Sequence, residues 1–204
     1  GQSEIGMVLT IPEGMKPGSD TANLAVLGYD PKIYYSGRSP LEALSIGVPM
    51  KDTDVAFRCN IVTISEDDVP FEKKTIIDHS SGEISTEEST VLLEAVKAQL
   101  QNESFRFYAG TSYRHCLIWN QGRVIELSQP HDVLGQVIGP HLPENENFRC
   151  MMERSYDILV NHPINIERKK KGLRPANCCW FWGAGTKPAL SSFEEKTGRK
   201  GMMV

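Results

Sequence analysis

A serine in the run Pro17-Gly18-Ser19-Asp20-Thr21-Ala22-Asn23 stands where a loop gives way to a helix. Free backbone N–H groups and the helix dipole favour an anion at such a junction. A phosphoryl group carried on the Ser19 hydroxyl would find its charge already accommodated. Serine is equally an ordinary N-cap, and the local pattern leaves both readings open. Arginines are the second chemical feature. Arg38, Arg58, Arg114 and Arg174 lie beside turns or within strands. A guanidinium offers a planar fork that grips phosphate or carboxylate with paired hydrogen bonds. An outward-facing strand residue or a structural ion pair is the plainer role for each. The run Arg168-Lys169-Lys170-Lys171 reads as a solvated helix end.

Other chemistry is thinner. His79 follows Asp78, His115 follows Arg114 and His131 precedes Asp132, but no HxH or HExxH spacing occurs, so no complete metal site is visible. Gly183-Ala184-Gly185 lacks the third glycine of a dinucleotide fingerprint and the lysine of a phosphate loop; it reads as a tight turn after a buried strand. The five cysteines, Cys59, Cys116, Cys150, Cys178 and Cys179, are odd in number and contain no CxxC pair. They read as reduced, mostly buried thiols of a cytoplasmic protein.

The elements that must position these residues alternate along the chain. Ile5–Ile11 reads as a strand, followed by a short helix over Ala22–Leu27 capped by Ser19 or Asp20 and closed by Gly28. Ser39 is placed to cap a helix that begins at Pro40. Asp54–Ile64 is the clearest strand, rich in β-branched and aromatic residues. Asp67–Ser85 reads as a loop or weak hairpin. Ser85 and Glu88 form a capping box ahead of a helix over Thr86–Glu103, with Leu92, Val96 and Leu100 on one stripe. Phe105–Ala109 and His115–Trp119 read as strands, and Asn120-Gln121-Gly122 as a turn leading to another over Arg123–Leu127. A helix over Glu146–Asn161, an apolar strand over Cys178–Trp182, and a short helix opened by Ser192 and Glu195 and ended by Gly198 complete the pattern. Interleaved strands and helices point to an α/β fold.

Composition narrows the class. The chain has 204 residues, 40% hydrophobic and 24% charged, and a net charge of −4, which describes a globular protein and excludes bulk disorder. No apolar run nears the roughly 20 residues that cross a bilayer. The mildly acidic balance argues against a dedicated nucleic-acid binder. Gly1 stands where an initiator methionine would, and Lys200–Val204 reads as a strand just opening, so an excised piece of a longer protein is expected.

From Gly14 to Pro31 the chain resembles the archaeal-type 2,3-bisphosphoglycerate-independent phosphoglycerate mutases of the alkaline phosphatase superfamily. The resemblance continues through Tyr35–Ala43 and Ala56–Asn60. It returns at Tyr113-Arg114-His115, at Pro130-His131-Asp132 and from Pro175-Ala176-Asn177 to Gly185. It implies an enzyme that moves a phosphoryl group between two hydroxyls of glycerate through a phosphoserine, with Ser19 as nucleophile and metal contact. It makes Arg58, Arg114, His115, His131, Asp132, Arg174 and Asn177 the candidates for holding a small phosphorylated carboxylic acid. It divides the chain into a piece of catalytic core over residues 1–45, an inserted substrate-covering domain of sheet and helices over 46–177, and a return to the core over 178–204.

Two features of the family have no counterpart here. An Asp-Gly metal ligand precedes the matched region in the family, and further Asp and His ligands follow it. Divalent metal (manganese, zinc or magnesium) is therefore expected in a full-length parent but not bound by this chain, which is expected to be inactive alone. Related sequences carry names such as homoserine kinase or phosphonopyruvate decarboxylase, so other phosphate chemistry is an alternative. A non-catalytic module that binds a phosphorylated acid is another. Neither membrane nor nucleic acid is expected as a partner, and the oligomeric state is left open.

Overall fold

The computed structural model describes residues 6–7, 9–15 and 17–201. One strand organises it. β1 (Val55–Ile64) is ten residues long and buried throughout, as its β-branched and aromatic content demands. β4 (Arg114–Trp119) flanks it on one side, and β3 (Phe105–Tyr108) pairs with the outer edge of β4. β5 (Cys178–Thr186) lies along its other side, and β2 (Ile76–Asp78) pairs with Thr63 and Ile64 at its end. Every one of these pairings is antiparallel.

The pleat separates two functions. Phe57, Cys59 and Ile61 share a face with Leu117 and Phe181 across the ladders. That face packs against α4 (Thr86–Leu100) and α5 (Glu146–Leu159), with Phe57 4.7 Å from Phe148 between ring centroids. Ala56, Arg58 and Asn60 point to the opposite face. There Ala56, Cys116 and Ile118 meet Ala43, Val48 and Met50, from α3 (Arg38–Ser45) and the segment after it. α1 (Ser19–Val26), α2 (Pro31–Tyr34), α6 (Pro163–Lys170) and α7 (Phe193–Thr197) complete the helices.

Several expectations are met and several are corrected. The fold is α/β, and β1, β3, β4, α4 and α5 fall within a few residues of their expected limits. Ser192 and Glu195 form the full capping box, and Gly198 closes α7 in the left-handed region at φ 67°. The cap of α1 is Gly18, not Ser19 or Asp20; Ser19 is the first helical residue. Likewise Gly37, at φ 120°, precedes α3, and the Ser39 hydroxyl donates instead to the Gly183 carbonyl. Arg123–Leu127 forms no strand. Both edges of β4 are already taken, by β1 and β3, so no ladder is open to it. Ser85 caps α4, but the Glu88 carboxylate turns to Arg168.

The basic run is the clearest correction. Lys169–Lys171 are exposed, but Arg168 is buried and donates to the carbonyls of Arg174 and Ser81 as well as to Glu88. Gly183-Ala184-Gly185 continues β5 rather than ending it, across a bulge opposite Ala56 and Arg58. Ile5 and Val8 of the expected first strand lie outside the described residues, and Gly6, Met7, Leu9 and Thr10 carry no regular structure. Of the expected final strand, Met202–Val204 lie outside the described residues and Lys200 and Gly201 are not extended into a sheet.

Candidate functional site

On the face of the sheet that carries Arg58 and Asn60, a cleft of about 1240 Å³ opens. Three walls meet there. The sheet supplies Arg58, Asn60, Arg114 and Trp182; the start of α1 supplies Gly18, Asp20 and Thr21; the irregular segment from Val124 to His131 closes the third side. Tyr35, Gly37 and Arg38 border it from the α2–α3 connection, and His79 and Tyr113 from loops.

Arg58 is the centre of this geometry. Its position in β1, opposite Cys116 and Trp182, aims it into the cleft. Its guanidinium lies 4.5 Å above the Trp182 ring, and Nη2 is 2.7 Å from Oε1 of Glu42. The same carboxylate oxygen is 3.3 Å from Nε of Arg38. Burial holds Arg58 below the ordinary arginine pKa; Glu42 works against that, and the nearby positive charges of Arg38 and Arg114 add to it. Arg38 and Arg58 thus share one carboxylate oxygen, and the charge of Arg114 bears on Arg58 from nearby. The buried Nε of Arg58 has no acceptor. A concave site that gathers three guanidinium groups and an unfilled donor is suited to an anion.

Neighbouring polar groups are held in place. Asn60 accepts from the Trp182 indole at 3.1 Å and donates to the His79 carbonyl at 3.2 Å, tying strand, aromatic wall and loop together. His131 meets Trp182 edge to face at 5.3 Å, and His79 meets His131 at 6.2 Å. Tyr35 donates to Asp20 at 2.7 Å; burial and that carboxylate push its phenol up to about 12. Asp20 follows Ser19, which is itself exposed at the first turn of α1.

A family profile described as 2,3-bisphosphoglycerate-independent phosphoglycerate mutase matches residues 1–165. The chain belongs to that family. A mutase of this name from Methanosarcina barkeri is 45% identical over 98% of this chain and 50% of its own length. A probable mutase of the same description from Geobacter sulfurreducens is 42% identical over all of this chain and 51% of its own. The chain thus spans about half the length of these curated relatives. Among solved structures, the cofactor-independent phosphoglycerate mutase of Thermoplasma acidophilum aligns at TM-score 0.56 and 30% identity, covering 88% of this chain and 49% of that one. A Pyrococcus horikoshii protein shares the fold at TM-score 0.64 and 24% identity, over 92% of this chain and 42% of its own.

The candidates named from the mutase motifs divide in space. Arg58, Arg114 and His131 line the cleft; Ser19 itself is not among the lining residues, although both its neighbours, Gly18 and Asp20, are. Asp132 is exposed beside His131, 3.8 Å away. His115 faces away from it. Adjacent strand residues point to opposite sides, so Arg114 in the cleft commits His115 to the face of Cys59. There it is buried, accepts from the Gly110 N–H at 3.2 Å, and is held down to about 4 by burial. Asn177 is also committed, accepting from the Ile64 N–H at 2.9 Å and donating to its carbonyl at 3.0 Å. Arg174 is exposed and pairs with Asp78 at 3.0 Å.

Asn60, Tyr35 and Trp182 belong to the cleft without having been named as site candidates, and His79, noted only for its neighbour Asp78, joins them. For the strand residues the signal lay in the alternation: Asn60 shares parity with Arg58, and Trp182 is its cross-strand partner. All five cysteines are free, four of them buried. Burial raises the thiols of Cys59, Cys116 and Cys178, so these are packing residues rather than nucleophiles.

Among the described residues, no three His, Cys, Asp or Glu side chains gather in a way that could hold a metal ion. The donor set present does not fit a divalent ion on its own, with Ser19 as the one contact the mutase motif suggests. No helix among the described residues is long and apolar enough to cross a membrane.

Proposed function

We propose that this chain is part of a phosphoglycerate mutase that interconverts 3-phosphoglycerate and 2-phosphoglycerate through a phosphoserine at Ser19. The observation that carries the reading is the convergence of Arg38, Arg58 and Arg114 on one cleft bordered by Gly18 and Asp20. In this reading the arginines grip the phosphate and carboxylate of the substrate and neutralise charge on the phosphoryl group in flight. The Ser19 oxygen attacks phosphorus as the bond to the glycerate 3-oxygen breaks, and the serine proton leaves as the glycerate oxygen takes one up. Glycerate then turns, and its 2-oxygen attacks the phosphoserine in the reverse sense. The start of α1 supplies an N-terminal dipole at the serine that carries the charge.

The covering unit in this proposal runs from about residue 46 through the end of β5. Support for extending it past Asn177 is the ladder that joins β5 to β1 from Cys178 to Thr186. A cytoplasmic setting and a divalent ion held mainly by residues other than these belong to the same reading. We propose further that the 204 residues alone are inactive, because acidic and histidine side chains for metal are not gathered among the described residues.

The test is mutase assay of the full-length protein with 3-phosphoglycerate, beside an assay with homoserine and ATP. The expected result is 2-phosphoglycerate formation, abolished by Ser19→Ala, with phosphate trapped on the Ser19 peptide by mass spectrometry. Full activity in Ser19→Ala, or turnover of homoserine alone, would refute the reading.

A further inference from the structure

Glu42 is an acidic residue paired with two of the arginines that line the cleft, and its contacts say why. Arg58 is 6% exposed, and a guanidinium so enclosed needs a fixed counter-charge. Glu42 provides it with one oxygen, shared between Nη2 of Arg58 and Nε of Arg38. Nε of Arg58 lies on the same edge of the fork as Nη2 and is left without an acceptor. Trp182 fixes the plane of the group from one side.

The helix that carries Glu42 is itself locked to the sheet. Ser39 donates to the Gly183 carbonyl and Ser36 to the Thr186 carbonyl at 2.6 Å. A side chain on Gly37 would meet the Ala184 carbonyl at 2.8 Å, so this approach requires glycine.

We propose that Glu42 is a positioning residue for the anion site. By holding two arginines on one oxygen, it offsets their mutual repulsion and fixes the Arg58 guanidinium, whose Nε–H is left unpaired, at the wall of the cleft where a phosphate or carboxylate would arrive. The proposal rests on the reading of the cleft as a phosphorylated-acid site and adds the residue that presets it. Without Glu42, Arg38, whose side chain is 45% exposed, is free to swing to solvent. Arg58 keeps its ring contact but loses its orientation within the plane.

The test follows the Arg58 Nε–H by nitrogen-resolved NMR in the 204-residue chain, in wild type, Glu42→Ala and Glu42→Gln, during titration with inorganic phosphate. An ordered, slowly exchanging signal is expected in wild type; Glu42→Gln, whose amide oxygen still accepts from Nη2 but carries no charge, is expected to fall between wild type and alanine. In Glu42→Ala that signal broadens or averages, and phosphate binds about ten-fold more weakly, the scale of one charge-assisted contact. An Arg58 signal that stays ordered in Glu42→Ala overturns the proposal. So does phosphate binding in Glu42→Ala as tight as in wild type, or Glu42→Gln indistinguishable from wild type, which would show that the counter-charge does nothing. If the Arg58 signal is lost in Glu42→Ala while phosphate moves nothing in any variant, the positioning role is supported and the phosphate reading of the cleft is what fails.

Discussion

The Tyr35 hydroxyl donates a 2.7 Å hydrogen bond to Oδ2 of Asp20 and so joins the α2–α3 connection to the first turn of α1. Ser19 sits beside that carboxylate, and the link fixes the turn from which its hydroxyl projects. Tyr35→Phe removes the donor and keeps the ring. The expected result is a stability loss of about 1 kcal/mol by urea titration. In the full-length protein, kcat falls several-fold with KM nearly unchanged. With the phenol pushed up to about 12, no tyrosinate forms below pH 10 to perturb the wild-type profile. An unchanged kcat would show that the link does not position the serine.

Trp182 does two things at once. Its ring lies against the Arg58 guanidinium and its indole donates to Asn60. Trp182→Phe keeps an aromatic face but leaves Asn60 Oδ1 without that donor, at an expected cost of roughly 1–2 kcal/mol. Trp182→Ala also opens a cavity at the bulge of β5 and is expected to cost about 3–5 kcal/mol. Thermal unfolding of both variants checks the order, and equal losses would mean that the ring contributes nothing beyond its hydrogen bond.

Much of this architecture was legible in the sequence because it follows from period. β1 announced itself by its β-branched and aromatic residues, and α4 by Leu92, Val96 and Leu100 on one stripe. The cleft was half legible. Arg58 in the middle of an apolar strand needs a reason to be there, and Trp182 and Glu42 supply it. What stayed hidden depends on contacts between distant segments. Nothing local tells Arg168, in a run of four basic residues, that Glu88 and two carbonyls will enclose it. Nor does the motif Arg114-His115 say which of the two faces the cleft until the register against β1 is known.

Arg168 gives a sharp contrast with its neighbours. Arg168→Ala leaves the Ser81 and Arg174 carbonyls without a donor and unties α6 from α4. Loss of such a buried clamp is expected to cost about 3–5 kcal/mol. Lys170, exposed at the end of α6 and 3.9 Å from Glu167, is expected to change stability by less than about 0.5 kcal/mol when replaced by alanine. Denaturation midpoints of the two variants measured side by side test this; similar shifts would mean that the run behaves as a solvated helix end after all.

His115 makes the stability of the chain depend on pH in a defined window. It is buried on the face opposite the cleft, its Nδ1 accepts from the Gly110 N–H, and its Nε2 has no partner. The folded chain therefore needs it neutral, and its pKa falls to about 4 from the ordinary 6.5 because burial disfavours the charged ring. Between those values the unfolded chain binds a proton that the folded chain refuses, so stability declines as pH is lowered. The full contribution is present above pH 6.5 and is lost by about pH 4, a total of roughly 3 kcal/mol from this one group. His115→Asn keeps an acceptor for Gly110 and has no proton to take up. Urea unfolding of both forms at pH 7, 6, 5 and 4 isolates this contribution, because the two proteins differ at this residue alone. The difference in stability between wild type and His115→Asn is expected to shrink or reverse as pH falls, and parallel curves would show that His115 is not buried in its neutral form.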